Sequence, residues 1–169
     1  MENKIIILIM IVFLTGFGFL FGYVYGIMKE RRRNSKIIEN ITSKYYKFQS
    51  YYNVMNGLWQ IKNQSASLEK YLLDLGYSSI AIYGFGTLGR RFHELLRDSR
   101  IIIDYVIDQN ASEMMADLRI VNPKDDFPET KAIIVTAVFD YDKIAMELME
   151  KVSTIISLEL IVSEIVSQT

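Results

Sequence analysis

Ser79-Ile-Ala-Ile-Tyr-Gly-Phe-Gly-Thr-Leu-Gly89 is the stretch from which the rest of the chain can be read. Ile80 and Ile82, with Ala81 between them, make a short apolar run of the kind found in strands buried on both faces. Gly84, Gly86 and Gly89 follow at once in G-x-G-x-x-G spacing, opening a segment with Leu88, Phe92, Leu95 and Leu96 along one helical side. A second apolar run, Ile101 to Ile107, ends in Asp108, 22 positions after Gly86. Strand, glycine loop, helix, strand and terminal acid stand in the order and spacing of a dinucleotide-binding unit.

The glycines have separate tasks in such a unit. Gly84 permits the tight turn out of the strand, Gly86 lets a diphosphate approach the backbone, and Gly89 lets the helix lie close to the strand. The helix N-terminus presents free N–H groups and a partial positive charge to the phosphates. The expected nucleotide contacts are therefore Gly84, Phe85, Gly86, Thr87, Leu88, Gly89 and Arg90, with Asp108 holding a ribose hydroxyl. Arg91 adds further positive charge to the first turn.

The remainder of the C-terminal part repeats the alternation. Ile120-Val121, Lys131 to Thr136 and Ser153 to Ser157 read as strands. Asp140 to Val152 reads as a helix with Ile144, Leu148 and Met149 inward, and Leu158 to Val166 as a closing helix. Alternating strands and helices imply an α/β fold, a Rossmann-like parallel sheet with helices on both faces. Ligands of such sheets bind beyond the carboxyl ends of the strands, which adds Thr136 to the expected contacts.

The first 28 residues differ in kind. Ile5 to Met28 is 24 residues without a charge, and a helix of that length spans roughly 36 Å, enough to cross a bilayer core. Lys29, Arg31, Arg32, Arg33 and Lys36 follow it, whereas Lys4 is the only basic side chain before it. The positive-inside rule places the N-terminus outside and all that follows Arg33 in the cytoplasm. No small-residue cleavage site follows the apolar run, which argues for a membrane helix over a signal peptide. Gly18, Gly22 and Gly26 share one helix face and suit close pairing with a second copy or another membrane protein.

Ile37, Ile38, Ile41, Tyr45, Phe48, Tyr52, Met55 and Trp59 recur in steps of three and four, so an amphipathic helix joins the two parts. Its apolar side can pack on the domain below, form a coiled-coil-like dimer stalk, or, as the weakest reading, offer a basic aromatic surface to nucleic acid. Ser65 or Ser67 suits the N-cap of a short helix, Leu68 to Leu75, which Gly76 ends. Three parts result: a membrane anchor with a basic flank at 1–33, a connecting helix at 34–64, and a nucleotide-binding domain at 65–169.

Composition narrows the chemistry. Half of the 169 residues are hydrophobic and the net charge is −1, so no global field attracts nucleic acid. The absence of cysteine excludes a disulfide framework, a thiolate zinc site and a cysteine nucleophile, and one histidine excludes a multi-histidine metal centre within the chain. No metal is expected. The domain has no Tyr-x-x-x-Lys acid–base pair; the one match in the chain, Tyr25 to Lys29, lies at the membrane boundary. His93 reads as a surface residue, and Asp140 as the N-cap of its helix rather than as a ligand pair with Asp142. No catalytic residue is assigned.

Tyr51-Tyr52, Leu58-Trp59, Leu68-Glu-Lys-Tyr71, the run Ile80 to Gly89, Tyr105-Val-Ile-Asp108, Ile133-Ile-Val-Thr136 and Ile156-Ser-Leu-Glu159 together carry a resemblance. From Tyr51 onward the chain resembles small Rossmann-like, nucleotide-sugar-epimerase-like proteins associated with bacterial capsule and surface-polysaccharide biosynthesis. The resemblance implies a role around nucleotide-activated sugars, with NAD(P) or a nucleotide-diphosphate sugar as ligand. An accessory binding protein, an epimerase, dehydratase or reductase completed by a partner, a nucleotide sensor, and a scaffold without ligand are the readings it leaves open.

Overall fold

A computed structural model describes residues 2–63, 68–111 and 118–168. The chain divides into two compact units, Met1–Tyr46 and Lys47–Thr169. The expected caps Ser65 and Ser67 lie outside the described residues.

Helix α1 (Glu2–Asn63) makes up the first unit and continues into the second. Its N-terminal stretch is long and apolar enough to cross a membrane. Every described side chain from Lys4 to Gln49 is exposed. The Thr15 hydroxyl donates to the Ile11 and Val12 carbonyls at 2.9 and 3.0 Å, so the helix satisfies its own polar group. Added Cβ atoms at Gly18, Gly22 and Gly26 would meet nothing within 4 Å, which leaves that face open.

The second unit is built on a five-stranded parallel sheet. In chain order its elements are α2 (Leu68–Asp74), β1 (Ser79–Tyr83), α3 (Thr87–Leu96), β2 (Ile102–Ile107), β3 (Ile120–Val121), β4 (Ile133–Val135), α4 (Tyr141–Leu148), β5 (Ile155–Ser157) and α5 (Leu158–Ser167). The strand order is β3-β2-β1-β4-β5, with every pairing parallel. Side chains alternate across the sheet, and each face carries a core. Ile80, Ile82, Val106 and Ile134 meet Leu72, Phe92, Leu96, Ile161 and the C-terminal part of α1 on one face. Ala81, Tyr83, Tyr105, Ile107, Ile133 and Val135 meet Ile144 and Leu148 of α4 on the other. Both sides of β1 are thus dry, which is why its sequence shows no polar alternation.

Several elements are shorter than their apolar runs. The second strand begins at Ile102 rather than Ile101, where the Ile102 N–H first reaches the Ser78 carbonyl at 3.0 Å. The register slips between Ile80 and Ala81, so Ala81 pairs with Tyr105 and Asp104 is left over. Asp104 turns outward and accepts the Thr130 hydroxyl at 2.7 Å. Helix α4 ends at Leu148, not Val152: Met149 to Lys151 form a turn in which the Lys151 N–H donates to the Leu148 carbonyl, three residues back, at 2.8 Å. Met149, expected inward, is therefore 65% exposed.

The connecting segment meets the domain through a narrower face than its periodicity offers. Within the second unit, α1 packs through Val54, Gly57, Leu58 and Ile61. A Cβ at Gly57 would lie 2.2 Å from Val162 Cγ1, so glycine sets how closely α1 lies against α5. Ser50 donates to Glu159 at 2.6 Å beside this contact. Of the aromatic side, for which the periodicity allowed packing on the domain or a coiled-coil-like stalk, Met55 touches the core while Phe48, Tyr52 and Trp59 are 59–69% exposed.

Candidate functional site

The glycine loop runs from the carboxyl end of β1 into α3, and its shape follows from three tight contacts. Gly84 has φ +90°, a conformation that side chains strain. A Cβ at Gly89 would lie 2.1 Å from the Gly84 carbonyl oxygen, so the first turn of α3 rests directly on the loop. Thr136, buried at the end of β4, donates its hydroxyl to the Gly84 carbonyl at 2.6 Å and the Tyr83 carbonyl at 3.2 Å. Its own N–H donates to the Tyr83 carbonyl at 2.9 Å. Thr136 thus fastens the loop from beneath, a role that its expected place among the ligand contacts does not describe.

Gly86 differs from its neighbours. It is exposed, it has φ −70°, and a Cβ there would meet nothing within 4 Å. It also occupies the N-cap of α3 without a side-chain cap. The donors of that first turn are left for solvent or a ligand, since an α-helix cannot satisfy its first four N–H groups internally. Thr87 is exposed beside it, whereas Leu88 is buried and can contribute only backbone. Phe85 is also buried, with its ring edge-on to His93 at 5.9 Å. His93 is accordingly half-buried rather than a free surface residue, and burial holds its imidazole below the usual value. The Arg90 side chain lies over the Phe85 ring at 5.8 Å and donates from Nε to the Phe85 carbonyl at 3.1 Å. Its guanidinium is held at the loop while remaining exposed.

Asp108 stands at the end of β2 beside the loop. Its Oδ2 accepts the Phe85 N–H at 2.7 Å and its Oδ1 accepts the Asn110 N–H at 2.9 Å. Each carboxylate oxygen has a second lone pair, so both bonds leave acceptor capacity for a hydroxyl. The ends of β1, β2 and β4 come together here because the sheet order reverses at β1: the chain moves to one side for β2 and to the other for β4.

A cavity of about 330 Å³ opens over those strand ends, lined by Tyr83, Gly84, Asp108, Gln109, Asn110, Ala137, Asp140, Lys143, Ile144 and Glu147. Its volume is at the lower end of the range for small-molecule sites. The only lysine among these lining residues, Lys143, is 3.9 Å from Glu147, leaving Asp108 and Asp140 to make the lining acidic. Asp140 does occupy the N-cap of α4, but its side chain makes no capping bond, because the single-turn helix Val138–Asp140 changes the entry geometry. Asp140 lines the cavity; Asp142 does not. Burial raises the Tyr83 phenol above its usual value, with Glu147 adding to the effect. That favours a neutral hydroxyl donor, the reverse of the depressed tyrosine used as a base.

Tyr83, Lys143 and Glu147 were not legible as site residues. Lys143 and Glu147 are an ordinary i,i+4 pair by sequence, and only their position on the helix after β4 brings them to the strand ends. Among the described residues no group of three His, Asp or Glu side chains is placed to hold a metal ion. No family model matches this chain, and no curated protein or solved structure is significantly similar to it.

Proposed function

We propose that the chain is a membrane-anchored accessory protein that binds a nucleotide or nucleotide-diphosphate sugar at the cytoplasmic surface, in the assembly of surface polysaccharide. The observation that carries the reading is the open backbone at Gly86, set at the N-terminus of α3 where the sheet order reverses. The order of five parallel strands is the one a Rossmann-like unit needs, and its ligands lie at this reversal.

The parts divide the work. The diphosphate sits against Gly86 and the first-turn N–H groups, with Arg90 alongside. The acidic cavity repels bare phosphate but accepts hydroxyls, so Asp108 takes a ribose and Asp140 and Tyr83 suit the hydroxyls of the remaining group. A carboxylate at Asp108 also disfavours a 2′-phosphate, which ranks NAD above NADP among dinucleotides. The polysaccharide assignment rests on the sequence resemblance. The anchor rests on the apolar helix and its basic flank, and it concentrates the domain near lipid-linked intermediates.

Reporter fusions at Thr169 test the anchor. The expected result is a cytoplasmic C-terminus on a membrane-bound chain that retains residues 1–33. Release of a shortened chain would identify a cleaved signal, and an external reporter would reverse the topology.

A further inference from the structure

The aromatic side of α1 has a regular repeat of which the second unit uses only Met55. Ile38, Ile41, Tyr45, Phe48, Tyr52, Met55 and Trp59 follow one another in steps of 3, 4, 3, 4, 3 and 4. That is a 3.5-residue repeat, the a and d positions of three heptads, and it selects another helix as partner. In the second unit Phe48, Tyr52 and Trp59 are 69%, 59% and 65% exposed. Of the α1 residues that pack on the domain, Val54, Gly57 and Ile61 fall at the c and f positions, turned away from the seam, while Leu58 lies at a flanking g position and Met55 of the seam touches the same core. One helix thus presents one side to its own domain and a different, regular side outward. In the first unit Ile38, Ile41 and Tyr45 are 61–64% exposed.

We infer that this seam is occupied by the same seam of a second copy, forming a parallel two-stranded coiled coil over residues 38–59. Three observations favour a second copy. The flanking e and g positions are Thr42, Gln49, Asn56, Ile37, Lys44, Tyr51 and Leu58, so two identical helices meet with one charge per chain beside the seam and little like-charge repulsion. The six exposed seam side chains of each copy, at about 100 Å² each, remove on the order of 1,200 Å² from water, at the lower end of the range of stable interfaces. A groove of about 580 Å³ lies beside Tyr52, Met55 and Trp59, with Arg91, Glu94 and Leu95 of α3 on its far side, so there is room for the partner's aromatic rings. The parallel direction rests on the membrane-anchor reading; the seam does not.

The chain contains no cysteine, so single cysteines can report the interface. Full-length Ile41→Cys, Phe48→Cys, Ser43→Cys and Asn53→Cys are oxidised mildly in native membranes. The expected result is a disulfide-linked dimer at positions 41 and 48 and none at 43 and 53. Adding Tyr52→Glu, at a side chain exposed in the single copy, should remove the link at position 41. A link at 48 without one at 41 would overturn the parallel arrangement. Equal linking at all four positions, no linking, or adducts with a different protein would overturn the second copy as occupant.

Discussion

Gly89→Ala is expected to destabilise the second unit by about 3 kcal/mol, the upper end for forcing a methyl into a packed site. The added Cβ would start 2.1 Å from the Gly84 carbonyl oxygen and 3.0 Å from Thr136 Oγ1. Neither can yield cheaply. The first is backbone held at φ +90°, and the second is committed to the Gly84 and Tyr83 carbonyls. For a unit of this size the loss corresponds to a Tm lower by roughly 10–15 °C. Gly86→Ala should do the opposite on both counts. Its φ of −70° suits alanine and the space around it is open, so stability should hold or rise by a few tenths of a kcal/mol. Nucleotide affinity should fall at least tenfold, because the methyl occupies the place proposed for the diphosphate. Thermal unfolding of both full-length variants in detergent, with and without nucleotide, separates the glycine that holds the fold from the one proposed to face the ligand. Equal stability of the two would refute the close approach at Gly89.

Asp108→Ala should cost the second unit about 2 kcal/mol and weaken nucleotide binding together. The buried Phe85 amide loses its acceptor at 2.7 Å, and an unpaired donor in such a place costs about 1–3 kcal/mol. The Asn110 amide loses its acceptor as well, which frees the turn after β2. Asp108→Asn keeps one carbonyl oxygen and should recover part of the stability. Urea unfolding of the three proteins measures the first effect, and hydrogen exchange at the Phe85 amide locates it. An Asp108→Ala variant as stable as the parent, with Phe85 still protected, would show that the carboxylate does not hold the loop.

The legibility of this chain follows the strength of its local constraints. Gly84 and Gly89 could be read because only glycine fits a positive φ and a 2.1 Å approach, and the spacing between them fixes strand, loop and helix. Asp108 was placed correctly at the end of β2, but its bond to Phe85 depends on where the loop returns in space. Thr136 was found for its position at a strand end, while its buried hydrogen bonds show it to be a fastening of the loop. The periodicity of α1 left its packing face open for a physical reason. Its largest apolar residues make the strongest periodic signal, yet of these only Met55 touches the domain, which is met mainly by the smaller Val54, Gly57, Leu58 and Ile61. Asp140 has the residue type and position of an N-cap, and the single turn of helix before it redirects the side chain. The slip that sets Asp104 aside leaves no mark in the sequence at all.

The most direct test of nucleotide binding is a thermal-shift comparison of the full-length chain with Gly86→Ala in detergent, across NAD(H), NADP(H) and uridine-, guanosine- and thymidine-diphosphate sugars. A ligand at 100 times its Kd stabilises its protein by about 2.7 kcal/mol, a shift on the order of ten degrees here. The account predicts such a shift for one nucleotide class, greater for NAD than for NADP if the ligand is a dinucleotide, and its loss in Gly86→Ala. A folded parent chain that responds to none of these ligands, or a response unchanged by the Gly86 substitution, would contradict it.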